Sequence, residues 1–173
     1  MQVKQAHEDE FREFVLARFN TLGRFAYLLC HDWHLAEDVV QKSLVKLYAK
    51  WPKAAIRSPD AYARKIIANT IKDEHRLGWF RKESPSETLP ERHVDDSSEA
   101  QSNRHTVLSA LAQLPKRQQL AVVLRFWEDM SVEQTAEIMG CSTGTVKSQT
   151  ARGLKTLRGL LTEIPSQVSG AMQ

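Results

Sequence analysis

Apolar residues recur along most of the chain at spacings of three and four, and no segment sustains the apolar–polar alternation of a strand. Leu35, Val39, Val40, Leu44, Leu47, Tyr48 and Trp51 form one stripe, which predicts a helix from about 35 to 50 that Pro52 stops. Upstream, Phe11, Phe14, Val15, Phe19, Leu22, Phe25, Ala26 and Leu29 predict two helices with a break near Gly23. The pattern resumes after Pro59 in Tyr62, Ile66, Ile67, Thr70 and Ile71, with Ser58 or Asp60 available as the cap. Further on, Val107, Leu108, Leu111 and Leu114 run up to Pro115, and Leu120, Val123, Leu124 and Trp127 mark another helix. Two shorter helices follow, and no internal repeat is visible.

The periodicity is interrupted once at length. Residues 83–104, ESPSETLPERHVDDSSEAQSNR, are rich in Ser, Glu, Asp and Pro and nearly free of large apolar side chains. Such a stretch buries too little surface to offset the entropy of ordering it, so a flexible linker is expected. The predicted fold is therefore all-α, with a lobe over residues 1–82, an acidic linker over 83–104, a second lobe over 105–162 and a short tail over 163–173.

Charge sharpens this division. The whole chain carries a formal charge of only +3, but residues 62–82 and 142–160 carry +4 each, and residues 83–101 between them carry −5. Two basic segments flanking an acidic one suggest two contacts with a polyanion, although charged helix faces in plain solvent have the same composition. No run approaches the roughly 18 apolar residues of a membrane span. The polar, acidic segment Met1–Arg12 does not read as a signal peptide. Two distant cysteines, Cys30 and Cys141, suggest no disulfide framework, so a cytoplasmic setting is expected.

The most informative segment is SVEQTAEIMGCSTGTVKSQTARGLKTLR, residues 131–158. Ser131 with Gln134 fits a reciprocal cap, so a helix should start near Val132. Counting from Val132, small Ala136 is fifth, Gly140 ninth and apolar Val146 fifteenth. A small residue where two helices cross, a glycine in the turn and an apolar anchor on the second helix are the parts of a helix-turn-helix. Val146, Leu154, Leu157 and Leu161 can face inward, leaving Thr145, Lys147, Ser148, Gln149 and Arg152 facing out. Lys and Arg suit phosphates or guanine, Gln suits adenine, and Ser and Thr adapt to either. The plainer alternative is a helical hairpin with a charged exterior.

From here the chain resembles the extracytoplasmic-function group of bacterial RNA polymerase sigma factors, in its actinobacterial-type subfamily. Three segments carry the resemblance: LLCHDWHLAEDVVQKSLVKLYAKW at 28–51, SPDAYARKIIANTIKDEHR at 58–76, and LAQLPKRQQLAVVLRFWEDMSVEQTAEIMGCSTGTVKSQTARGLKTLR at 111–158. It implies that the first segment docks on a coiled coil of the largest polymerase subunit, through Glu37, Asp38, Gln41 and Lys42. It implies a −10 specificity loop at about Lys53–Asp60, leading into a helix whose Arg64, Lys65, Asn69, Lys72 and Arg76 track DNA. On the helix-turn-helix it implies −35 contacts from Lys147, Ser148, Gln149 and Arg152; where Gln149 stands many relatives have Arg, which favours an adenine contact here. Leu108, Leu111, Leu120, Val123 and Phe126 would line a pocket for the polymerase flap, or simply form core. The linker would thread toward the RNA exit path. Expected partners are core polymerase, double- and single-stranded promoter DNA and, as in many relatives, an anti-sigma factor.

Other chemistry finds little support. Cys30, His31 and His34 invite a metal reading, but a fourth ligand is missing, and no cofactor is expected. Trp79 and Phe80, set among Arg76, Arg81 and Lys82, could stack on bases or pack the lobe. No nucleotide-binding loop, nucleophile elbow or zinc-protease motif occurs, so no catalytic site is expected. Two rival classes stay open: a conventional DNA-binding regulator acting without polymerase, and a helical adaptor that binds protein and no DNA.

Overall fold

The computed structural model describes residues 2–51, 58–78 and 98–162, with side chains over 5–51, 58–76 and 101–162. The described residues are helical throughout their length apart from turns, and contain no strand. The first lobe holds α1 (Gln2–Cys30), α2 (Trp33–Tyr48) and α3 (Pro59–Gly78). The second holds α4 (Ser98–Ala112), α5 (Lys116–Val122), α6 (Val132–Met139) and α7 (Thr143–Thr162).

Where two helices with a break near Gly23 are expected, α1 runs unbroken through Gly23 to Cys30. A glycine inside a helix costs about 1 kcal/mol relative to alanine. Beside it Leu22, Phe25 and Ala26 are all fully buried, and each large side chain of this kind contributes about 1.5–3 kcal/mol. Burial therefore overrides the local preference. α1 ends in a tight turn in which His31 takes a left-handed conformation and Asp32 caps α2 by accepting from the Leu35 amide at 3.0 Å. The apolar stripe of α2 faces inward through Val39, Val40 and Leu47, joined by Ala36. Its distal end is pinned by aromatic contacts, with Phe11 5.0 Å from Tyr48 and 5.1 Å from Trp51 between ring centroids. At α3 the cap is Ser58, whose hydroxyl accepts from the Ala61 amide at 3.2 Å.

In the second lobe α4 starts at Ser98, so residues 98–104, expected in the linker, are helical. The polar composition that argues against burial does not argue against a helix, because Glu, Ala and Gln are good helix formers. Residues 101–105 lie exposed, ahead of the packed end of the helix. The remaining linker residues 83–97 lie outside the described residues, as do Trp79, Phe80 and residues 52–57, which hold most of the expected −10 specificity loop. α5 passes at Val123 into a π-helical turn, Val123–Trp127, closed by Glu128 N–H donating to Val123 O at 3.0 Å. The wider turn shifts the helical phase, and Phe126 and Trp127 are turned outward, 60% and 51% exposed. Trp127 thus leaves the inner face that periodicity suggests. α7, expected to be short, extends over 20 residues.

The lobes are not separate bodies. One apolar cluster runs from Leu22, Phe25 and Val39 through Ile67 and Ile71 to Leu111, Leu114, Leu124 and Met130. α6 packs on α3, and α4 and α5 pack on α1.

Candidate nucleic-acid and polymerase interface

Each part of the helix-turn-helix is built from local chemistry. Ser131 Oγ accepts from the Gln134 amide at 3.1 Å while Gln134 Oε1 accepts from the Ser131 amide at 2.9 Å, closing the reciprocal cap of α6. Gly140 ends α6 with φ of 61°, where L side chains are strained, and lets Cys141 N–H reach Ala136 O at 3.1 Å. Ser142 then caps α7, accepting from the Thr145 amide at 3.1 Å. Ala136 and Val146 are buried at the crossing.

A further close approach was not legible in the sequence. Gly153 of α7 is buried against α5, where a Cβ would stand 2.7 Å from Val122 Cγ2. Together these contacts fix the outward face of α7. Lys147, Ser148 and Arg152 are exposed on it, and Thr145 and Gln149 are half-buried beside them. The Ser148 hydroxyl donates to Thr145 O at 3.0 Å, which leaves its lone pairs free to accept. Glu133, at the start of α6, has its carboxyl pulled below the usual range, first by a backbone N–H and then by Ser131, with Lys147 and Arg125 adding to the effect.

On α3 the five basic and polar residues divide. Lys65, Asn69, Lys72 and Arg76 follow one another at spacings of four, three and four and so share one face, with Lys65 half-buried and the rest exposed. Arg64 does not join them. Its side chain is 4% exposed, in phase with buried Ile67 and Ile71, and is held by Asp60 and by Glu128 of the second lobe. In this arrangement it cannot reach DNA, because the second lobe covers it. A charged residue in step with an apolar stripe was the available signal.

On α2, Glu37, Asp38, Gln41 and Lys42 all lie exposed. Lys42 Nζ bridges Asp38 at 2.7 Å and Glu74 of α3 at 2.8 Å, and these hydrogen bonds, Asp38 first, raise the ammonium pKa. Val45 continues the same surface and is 71% exposed. It lies out of phase with the buried stripe, which was the sequence signal for it. Of the residues expected to line a flap pocket, Leu111 and Val123 lie in the closed core, Leu108 and Leu120 pack against it, and Phe126 is on the surface. Among the described residues no group of His, Cys, Asp or Glu could hold a metal ion, and no helix is long and apolar enough to cross a membrane.

A helix-turn-helix with a polar, basic outward face, joined to a lobe with a second basic row, defines the class: a helical protein built to read DNA. Comparison with known proteins narrows the class. Residues 15–81 match sigma-70 region 2 and residues 104–157 match sigma-70 region 4. The RNA polymerase sigma-E factor of Streptomyces avermitilis is 42% identical over 154 residues, covering 86% of this chain and 83% of that one. The ECF RNA polymerase sigma factor SigL of Mycobacterium tuberculosis is 30% identical over 149 residues, covering 83% of this chain and 84% of that one. Among solved structures, the sigma factor RpoE of Bartonella quintana, crystallised with the anti-sigma factor NepR, superposes with a TM-score of 0.73 at 27% identity, covering 90% of this chain and 98% of that one. The chain belongs to the sigma-70 family of RNA polymerase sigma factors, in its extracytoplasmic-function group. Its function is that of a sigma factor, promoter recognition in transcription initiation.

Proposed function

We propose that the two lobes divide promoter recognition between them. The second lobe lays α7 in the major groove of the −35 element, with Thr145, Lys147, Ser148, Gln149 and Arg152 as its contacts. The first lobe docks on core polymerase through Glu37, Asp38, Gln41 and Lys42 of α2, and tracks −10 DNA with Lys65, Asn69, Lys72 and Arg76 of α3. Arg64 lies on the neighbouring face of α3, in step with Ile67 and Ile71, and becomes available to DNA beside that row only once the second lobe moves away. The observation that carries this reading is the outward face of α7: its polar and basic side chains are exposed on a helix whose opposite face is locked by buried Val146 and Gly153. The lobes extend over 1–82 and 105–162, with 98–104 as a helical end of the linker.

The protein acts in the cytoplasm as a specificity subunit with no catalytic site of its own. Core polymerase, promoter DNA and an anti-sigma factor are its partners. The RpoE–NepR complex supports the last of these, since the related sigma factor in it is held by such a partner. The test is run-off transcription by purified core polymerase on a pool of promoter fragments. Specific transcripts should require this protein and disappear with Asp38→Ala or Arg152→Ala. DNA binding without core, and no transcripts with it, would instead identify a conventional regulator.

A further inference from the structure

The contact between the lobes contains a charge arrangement with a consequence for DNA binding. Arg64 and Glu128 are 4% and 7% exposed and lie on different lobes. Arg64 Nε and Nη2 both donate to Glu128 Oε2, the former at 2.5 Å. The remaining nitrogen, Nη1, donates to Asp60 Oδ2 at 2.6 Å and to Asp60 O at 3.1 Å. Asp60 in turn lies 3.6 Å from Arg18 Nε, and the guanidinium carbon stands 5.9 Å from the Phe25 ring. Every nitrogen of Arg64 is thus engaged, one edge by its own lobe and the other by the second lobe.

We infer that Glu128 is an internal stand-in for a DNA phosphate, which occupies the free edge of Arg64 while the lobes are closed and must leave before Arg64 can bind DNA. The geometry of the guanidinium supports this. The edge that grips a carboxylate has the spacing and charge to grip a phosphate. Asp60, Arg18 and Phe25 all belong to the first lobe and keep their contacts when the second lobe departs. Arg64 is therefore left oriented, with Nε and Nη2 vacated and pointing where Glu128 was. The lobes meet at a second polar point as well. Buried Gln119 of α5 donates to Leu28 O at 2.8 Å and lies 2.6 Å from His31 Nε2, both on the first lobe.

Because Glu128 and a phosphate compete for one edge, closure and DNA binding oppose each other, and each weakens the other by the same factor. Removing the carboxylate alone leaves the Nε–Nη2 edge of Arg64 buried without its anionic partner, with Asp60 alone answering the charge from the other edge. That penalty falls on the closed state only, since in the open state Arg64 reaches water or DNA. Glu128→Gln should therefore open the molecule and tighten its hold on DNA in the absence of polymerase.

The inference rests on the reading of α3 as a DNA-contacting helix, and the experiment separates the two. Small-angle scattering of the full chain gives the radius of gyration, and a fluorescein-labelled mixed-sequence single-stranded 20-mer gives the DNA affinity without core. Glu128→Gln is expected to raise the radius of gyration and tighten binding by about tenfold, as the competent fraction rises. Adding Arg64→Ala to Glu128→Gln should abolish that gain. Glu128→Asp, which keeps the charge but falls short of Arg64, should move both readings the same way by less, and serves if the Gln variant does not fold. An unchanged radius and affinity in either folded variant overturns the latch. An opened molecule whose DNA affinity stays the same, or whose gain survives Arg64→Ala, overturns the competition. Run-off transcription with core is measured alongside: its absence in the parent chain refutes the sigma reading while leaving the scattering result to decide the latch.

Discussion

Replacing Gly153 with alanine should destabilise the protein, against the usual effect of a glycine-to-alanine change in a helix. The gain from helix propensity is about 1 kcal/mol. The loss comes from the α5–α7 contact, where the added Cβ would stand 2.7 Å from Val122 Cγ2, 3.3 Å from Gln118 O and 3.4 Å from Gln118 Cβ. None of these atoms can step aside easily. Gln118 O is backbone, and a β-branched valine on a helix is confined to essentially one rotamer. The helices must move apart, and overpacking of this kind costs about 1–3 kcal/mol. The net expectation is a loss of about 1 kcal/mol after the propensity gain. Gly159, six residues further along the same helix, supplies the control, because a Cβ there meets nothing within 4 Å. Gly159→Ala should stabilise by about 0.5–1 kcal/mol. The two variants should therefore differ by about 2 kcal/mol, which at an m-value of about 2 kcal/mol/M separates their urea midpoints by about 1 M. Unfolding of the full chain followed by circular dichroism reads this directly. If both substitutions raise the midpoint alike, the close approach of α5 and α7 is wrong, and with it the account of how α7 is positioned.

Burial, with smaller contributions from Lys116 and His75, depresses the His31 pKa to about 4. An unfolded histidine titrates near 6.5, so the unfolded chain takes up the proton first as pH falls. The contribution of His31 to stability is complete above about pH 6.5 and is lost as pH falls toward about 4. His31→Asn, which tolerates the left-handed backbone, should flatten the slope of urea midpoint against pH over that range, and an unaltered slope would refute the assignment. Gly140→Ala should cost about 1–2 kcal/mol for its backbone conformation alone, since no atom lies within 4 Å of the new Cβ, while Gly140→Asn should cost less in the same unfolding assay. Arg152→Ala should lower the salt dependence of −35 duplex binding by about one unit in the log–log slope, whereas an unchanged slope would mean that Arg152 meets no phosphate.

Much of this protein is written in short-range pattern. The stripe on α2, the reciprocal cap of Ser131 and Gln134, the left-handed Gly140 and the Ser142 cap each depend on residues within a few positions of one another. Such features survive in the sequence because their physics is local. The outward face of α7 follows from them, since fixing the cap and the turn fixes the phase of the helix behind them.

What the tertiary structure alone decided depends on contacts between distant segments. α1 ignores the break suggested at Gly23 because the first lobe's core buries Leu22, Phe25 and Ala26 around it. Gly153 matters only because α5 passes close behind it. Phe126 and Trp127 leave the core because the chain widens into a π-helical turn between α5 and α6, a change of phase that no spacing rule anticipates. The core position of Arg64 is marked in the sequence by its step with Ile67 and Ile71, but the partner that answers its charge there, Glu128, lies 64 residues away in the other lobe. A charge is classed as solvated or buried by what covers it, and that cover is set only when the two lobes meet.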